Sequence, residues 1–213
     1  MKLYIYDHCP FSMRPRLIAG LKNIKVKIII VRVADLETVP NMIGKNVRPV
    51  LEKDDGTFMA ESMDLALYLD RLDSPIITDP VISNKFEELK SEILKDYVAL
   101  TAPLFVKTCR EFQVQADVDR YQKREEDFVG VSFAEIEKDM SMFKQRLEKI
   151  IPEFEQFLVS DIPNNMTATE VALFPFMAHL LNFKCSNLTT GLSEFVDKIC
   201  NKTHQKLLPN YSN

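Results

Sequence analysis

The 213 residues are 46% apolar and 27% charged with only 5 Gly and 11 Pro, the balance of a packed protein, and the length suits two small domains or one large one. A formal net charge of -4 at pH 7, with no Lys/Arg cluster interleaved with aromatics, argues against a nucleic-acid surface. The apolar run Ile28 to Val31 is bracketed by Lys27 and Arg32, far short of the roughly 20 residues of a membrane span, so no membrane partner is expected.

Met1-Lys2 runs directly into a short β-rich segment, Lys2 to Tyr6, rather than into a signal peptide, and the expected compartment is the cytoplasm. Asp7-His8-Cys9-Pro10 ends that strand and opens a helix to about Leu21, with Leu17, Ile18 and Leu21 on its buried face. Lys25 to Val33 reads as a second strand whose apolar centre suits a strand covered on both faces. Leu36 to Ile43 forms a short helix stopped by Gly44. Val50 to Lys53 and Thr57 to Met59 flank the turn Asp54-Asp55-Gly56, a hairpin signal. Ser62 then caps a helix from Met63 to about Leu72. The order β-α-β-α-β-β-α over residues 1–72 is that of an α/β thioredoxin-like domain.

Asp73 to Ser83, with Pro75 and Pro80, reads as a linker, so residues 73–84 separate the first domain from an all-helical domain over 85–213. From Phe86, the positions Leu89, Ile93, Tyr97, Leu100 and Leu104 give one helical stripe. Ser132-Phe133-Ala134-Glu135 fits a capping box. Behind it Ile136, Met140, Phe143, Leu147 and Ile150 form a second stripe, interrupted at Pro152. A helix hairpin of the two stripes is the simple expectation. Thr167-Ala168-Thr169-Glu170 is another capping box, and Val171 to Ala178 is apolar nearly all round, as befits a buried central helix that Pro175 would kink. Leu192, Phe195, Val196 and Ile199 give a last helix, and the tail from Pro209 to Asn213 should fray.

Four cysteines, Cys9, Cys109, Cys185 and Cys200, lie far apart, without C-x-x-C or zinc spacing, so neither a disulfide scaffold nor a metal site is expected. Cys9 sits where a strand ends and a helix begins, facing first-turn N–H groups and the positive helix end, a setting that lowers a thiol pKa. Pro10 suits the first turn because its missing N–H is not needed there. Position alone fits an inert apolar cysteine equally well. Arg48-Pro49 opens the third strand, and a cis bond there would turn the backbone of residue 48 toward Cys9. Glu61-Ser62 offers a hydroxyl, free N–H groups and a carboxylate suited to an amino-acid headgroup. In isolation those two residues read as a helix cap and a solvated charge.

Together, Asp7-His8-Cys9-Pro10-Phe11, Arg48-Pro49, Asp54-Asp55, Glu61-Ser62-Met63-Asp64, Leu21-Lys22-Asn23-Ile24 and Ala172-Leu173-Phe174-Pro175 resemble the glutaredoxin 2 family, glutaredoxins of glutathione-transferase-like architecture. The resemblance implies glutathione-dependent thiol–disulfide exchange through the Cys9 thiolate, with glutathione as co-substrate and no metal. It implies a glutathione site of Pro10, Phe11, Arg48, Pro49, Glu61 and Ser62. Glutathionylated proteins or small mixed disulfides are the implied partners, and a monomer the implied state. The departure is Ser12, which stands where dithiol members carry the second cysteine. A hydroxyl can donate to a thiolate but cannot resolve a mixed disulfide, so a monothiol cycle with Cys9 and Ser12 as catalytic residues is expected. Arg48 is expected to help hold the thiolate or glutathione, and Pro15 removes one backbone bond inside the first helix. His8 is expected to point away from Cys9. Alternatives are an omega-like glutathione transferase or dehydroascorbate reductase, which needs an electrophile pocket beside Cys9, a non-enzymatic relative of the intracellular chloride channels, and a transferase-shaped regulator without catalysis.

Overall fold

A computed structural model describes residues 1–162, 164–184 and 186–203. Cys185 and the tail from Pro209 to Asn213 lie outside the described residues.

Strands β1 (Lys2–Ile5), β2 (Lys27–Ile30), β3 (Val50–Glu52) and β4 (Phe58–Met59) form one sheet in the order β2-β1-β3-β4. β1 runs parallel to β2 and antiparallel to β3, placing Leu3 between Ile28 and Leu51. Side-chain alternation sends Leu3 and Ile5 into the main core, and Tyr4, with Val50, into a smaller cluster on the other face with Val31 and Val39. The second strand is shorter than expected, and its cover is partial on both faces: Ile28 and Ile30 pack against the main core and Ile29 against the smaller cluster, all three half-buried. It lies at the sheet edge, with β1 as its only neighbour, and an isoleucine run does not distinguish an edge from a centre.

Helix α1 (Pro10–Leu21) is buried on every side from Ser12 to Gly20, including Arg14 and Arg16, because α3 (Ser62–Asp70) and α7 (Ala168–Asn182) also pack against it. The expected narrow face is therefore too narrow, and Leu21 is only half-buried. Helix α2 (Thr38–Ile43) closes at Gly44 with φ +70°, a conformation glycine adopts without a Cβ penalty. Ser62 is not a cap: it is the first residue of α3, and Glu61 holds the cap position with no capping hydrogen bond from its side chain.

The expected linker contains a strand. β5 (Ile77–Asp79) pairs in parallel with β6 (Met166–Thr167), and the Asp70 carboxylate accepts from Ile76 N at 2.9 Å and Ile77 N at 3.0 Å. Helices α4 (Asn84–Thr108) and α6 (Phe133–Ile150) pack together as their stripes require, but they are not a direct hairpin, because α5 (Gln115–Val129) lies between them in the chain. A 3-10 helix, Ile151–Phe157, follows α6 at Pro152. Both capping boxes form. The box at Thr167/Glu170 opens α7, which is buried continuously from Ala168 to Leu180 and passes through Pro175 as one helix. Helix α8 (Thr190–Lys202) completes the described chain. One continuous core joins the inner face of the sheet to α1, α3 and the later helices.

Candidate active site

Cys9 is the residue before the first turn of α1, in extended backbone (φ -77°, ψ 117°), with Pro10 at the first helical position. Its carbonyl accepts from Met13 N at 3.2 Å, which locks the cysteine onto the helix start. Burial pushes the thiol up; the Ser12 N–H and hydroxyl and the Phe11 N–H pull it back, and Glu111 adds a small upward push. The net direction is upward, opposite to the lowering expected from the helix end alone, because a half-buried sulfur loses hydration. Among the described residues the fully buried Ser12 Oγ meets no partner at full hydrogen-bond geometry, and its hydroxyl favours the charged form of the Cys9 sulfur.

The Arg48-Pro49 bond is cis. The Arg48 guanidinium lies 4.8 Å from the Tyr6 ring centroid, donates to the Asp35 carbonyl at 3.2 Å and bonds the Asn46 amide oxygen. Glu61 has φ +70° and ψ 110°, a backbone conformation uncommon for a residue with a side chain, and such strain concentrates at ligand clamps. Ser62 Oγ accepts from Arg14 Nη1 at 3.2 Å, while Arg14 Nε and Nη2 are buried without partners among the described residues and the guanidinium covers the Phe11 ring at 4.8 Å. Burial pushes the Arg14 guanidinium down to about 10, against the pull of Glu87 and Cys9.

A cavity of about 460 Å³ opens between the sheet domain and α4, α5 and α7. Cys9, Pro10, Phe11 and Arg48 line it together; Ser12, Pro49, Glu61 and Ser62 do not, and Ser62 connects to it through Arg14 and Phe11. His8 also lines the cavity, packed among Tyr6, Phe105, Phe112 and Tyr121, and its Nδ1 bonds the fully buried Glu111. Beside it, Asp7 accepts from Arg110 Nε at 2.6 Å and Nη2 at 2.8 Å. These contacts tie the strand end before Cys9 to the turn between α4 and α5. Glu111, Arg110, Arg14 and the cavity face of α5 were missed in the sequence. For Arg110, Glu111 and α5 the available signal was polar residues in a long unassigned interval with only a thin buried stripe, and Arg14 lies in the expected first helix but off its expected buried face.

Residues 3–75 match the glutathione S-transferase N-terminal domain family. Glutaredoxin 2 of Escherichia coli strain K12 is 29% identical over 211 residues, 98% of either chain. The crystal structure of Salmonella typhimurium glutaredoxin 2 in complex with glutathione superposes with a TM-score of 0.85 at 28% identity, covering 97% of this chain and 96% of that one. This chain is a homologue of glutaredoxin 2. A glutathione transferase from Phanerochaete chrysosporium, at TM-score 0.69 and 15% identity over 96% of this chain and 98% of that one, shares the fold. The glutaredoxin 2 likeness spans both the thioredoxin-like domain and the helical part. Among the described residues no His/Cys/Asp/Glu group could hold a metal, and no helix is long and apolar enough to cross a membrane.

Proposed function

We propose that the protein catalyses glutathione-dependent thiol–disulfide exchange by a monothiol cycle on Cys9. The Cys9 thiolate attacks the glutathione sulfur of a mixed disulfide RS–SG; that S–S bond breaks, RS⁻ leaves with its electron pair and takes a proton from solvent, and Cys9 is glutathionylated. A second glutathione thiolate attacks the glutathione sulfur on Cys9, releasing oxidised glutathione and regenerating the Cys9 thiolate. The observation that carries the reading is the motif itself: a half-buried thiol at a helix start on a glutaredoxin 2-like fold, with the buried Ser12 hydroxyl in place of a second sulfur. Nothing at position 12 can then resolve the intermediate, so glutathione must.

Glutathione binds with its cysteinyl backbone on residue 48 beside Pro49, its thiol chain along Pro10 and Phe11, and its γ-glutamyl end at Glu61 and Ser62. The buried, half-unsatisfied Arg14 behind Ser62 supports a carboxylate at that end. Arg48 holds the thiolate or the glutathione, and His8, engaged by Glu111, positions rather than exchanges protons. The glutathione-binding domain is residues 1–72, joined through residues 73–84 to the helical domain over 85–213. The protein works as a cytoplasmic monomer on glutathionylated proteins or small disulfides.

The test is turnover of the glutathione–2-mercaptoethanol mixed disulfide with excess glutathione, coupled to glutathione reductase. Activity that disappears in Cys9→Ser and persists with Ser12 in place is expected; an inactive parent protein would overturn the reading. A second reading, glutathione transfer to an electrophile, is favoured by the cavity beside Cys9. Conjugation of an aryl halide or reduction of dehydroascorbate, faster than disulfide exchange, would make it the main activity.

A further inference from the structure

The cavity beside Cys9 has a charge that the chain as a whole lacks. Its lining carries four cations, Arg48, Lys90, Arg120 and Arg124, against one carboxylate, Glu125, in a protein of net charge -4. Two of these cations are balanced locally: Arg124 Nε donates to Glu125 at 2.7 Å, and Lys90 pairs with Glu87. The other two form no ion pair among the described residues: Arg48 makes its hydrogen bonds to neutral acceptors, the Asn46 amide and the Asp35 carbonyl, and feels the Asp35 carboxylate only at longer range, and Arg120 is exposed. Between the cations, Tyr97, Phe105, Tyr121 and Phe176 supply aromatic walls. Apolar walls exclude water and concentrate the field of the unbalanced charges, which raises the local concentration of anions.

We propose that this cavity receives the non-glutathione half of the disulfide and selects a small, carboxylate-bearing thiol with an apolar or aromatic body. The inference rests on the disulfide-exchange reading above and gives it a substrate class. In the first exchange the RS⁻ group acquires the electron pair of the broken S–S bond inside this cavity, so the same cations that attract its carboxylate stabilise the charge developing on its sulfur. The body stacks on the rings, and the carboxylate lies toward Arg48 and Arg120. Glutathione itself, an anionic thiol, can use the same site as the second reactant, and the experiment separates the two sources.

Three glutathione mixed disulfides share one benzylic sulfur environment and differ at the far end of the ring: those of 4-(mercaptomethyl)benzoate, 4-(mercaptomethyl)benzamide and 4-(mercaptomethyl)benzylamine. At low ionic strength the carboxylate should exceed the ammonium substrate in kcat/KM by about tenfold or more, with the amide between. The ratio should shrink toward one as salt rises to about 0.5 M, and also in Arg120→Gln and further in Arg48→Gln/Arg120→Gln. Equal kcat/KM for the three, or preference for the ammonium, overturns the proposal. Saturation by the second glutathione is read separately: a raised KM for glutathione in Arg120→Gln, with the three-substrate ratio unchanged, assigns the cations to glutathione and also overturns it. If none of the substrates turns over, the exchange reading fails, and calorimetric binding of the unreactive methyl thioethers still decides the cavity. Tighter binding of the carboxylate than of the amide supports the proposal, and equal binding refutes it.

Discussion

At the residue scale, the chemistry turns on how few groups hold the Cys9 sulfur as an anion. Burial opposes ionisation, and the opposing donors come from Phe11 and Ser12. Ser12→Ala should therefore move the thiol pKa further up, measured by the pH dependence of iodoacetamide alkylation; an unchanged profile would remove Ser12 from the site. Ser12→Cys should restore a resolving thiol: the oxidised variant should contain a disulfide between Cys9 and the introduced sulfur, detected by mass after alkylation, and reduction of protein disulfides should rise above the parent. Arg48→Val, which deletes the cation over Tyr6, should raise both the Cys9 pKa and the KM for glutathione. If neither moves, Arg48 serves only the neighbouring loop.

At the scale of elements, the two capping boxes share a sequence pattern and differ in burial. Glu135 is exposed and closes only its own box with Ser132. Glu170 is fully buried and accepts from Thr167 N at 2.7 Å, Val159 N at 3.1 Å and Ser160 N at 3.0 Å, so it joins the start of α7 to the turn before β6. Glu135→Ala should cost about 1 kcal/mol. Glu170→Ala leaves several buried donors unpaired and should cost about 3 kcal/mol or more. Denaturant melts of the two variants read the difference, and equal losses would mean that α7 does not depend on this junction. Because α7 packs on α1, the larger loss reaches the helix that presents Cys9.

At the scale of the molecule, acid should weaken the structure through groups buried where the helical part meets the first domain. Burial pushes His179 down to about 3, with His8 and Arg16 adding to the shift, and its Nδ1 is hydrogen-bonded to the Tyr97 hydroxyl at 2.6 Å. The unfolded chain then binds the proton first, so the contribution of neutral His179 is complete above about 6.5 and is lost as pH falls from there toward about 3. Asp7 acts lower on the scale: burial would raise its carboxyl, but Arg110 and Arg16 outweigh it and hold the pKa below 3.8, so its contribution is present above that value and lost as pH falls through the folded pKa. Tm should decline between about pH 6.5 and 4, and His179→Phe should flatten that slope; an unaltered slope would place the acid sensitivity elsewhere.

Local pattern was enough to show the strand–turn–helix around Cys9, the X-Pro start of the third strand, both capping boxes and the apolar sweep of α7. Each rests on interactions within a few residues, which leave a period or a fixed spacing in the sequence. The Cys-Pro-Phe-Ser motif by itself also points to a thiol without an adjacent resolving partner. Tertiary structure decided the rest. β5 exists because Ile77 to Asp79 meets Met166 and Thr167 from the far side of the chain, and two-residue pairings leave no periodic trace. α5 buries only Asp117, Tyr121 and Glu125, too thin a stripe to read, yet it supplies one wall of the cavity. Whether the isoleucines of β2 lie at the centre or the edge, and whether burial or the helix start prevails at the Cys9 sulfur, depends on neighbours brought from distant segments. Solvation and electrostatics act through space rather than along the chain, which is why the positive cavity of an acidic protein appears only when it is folded.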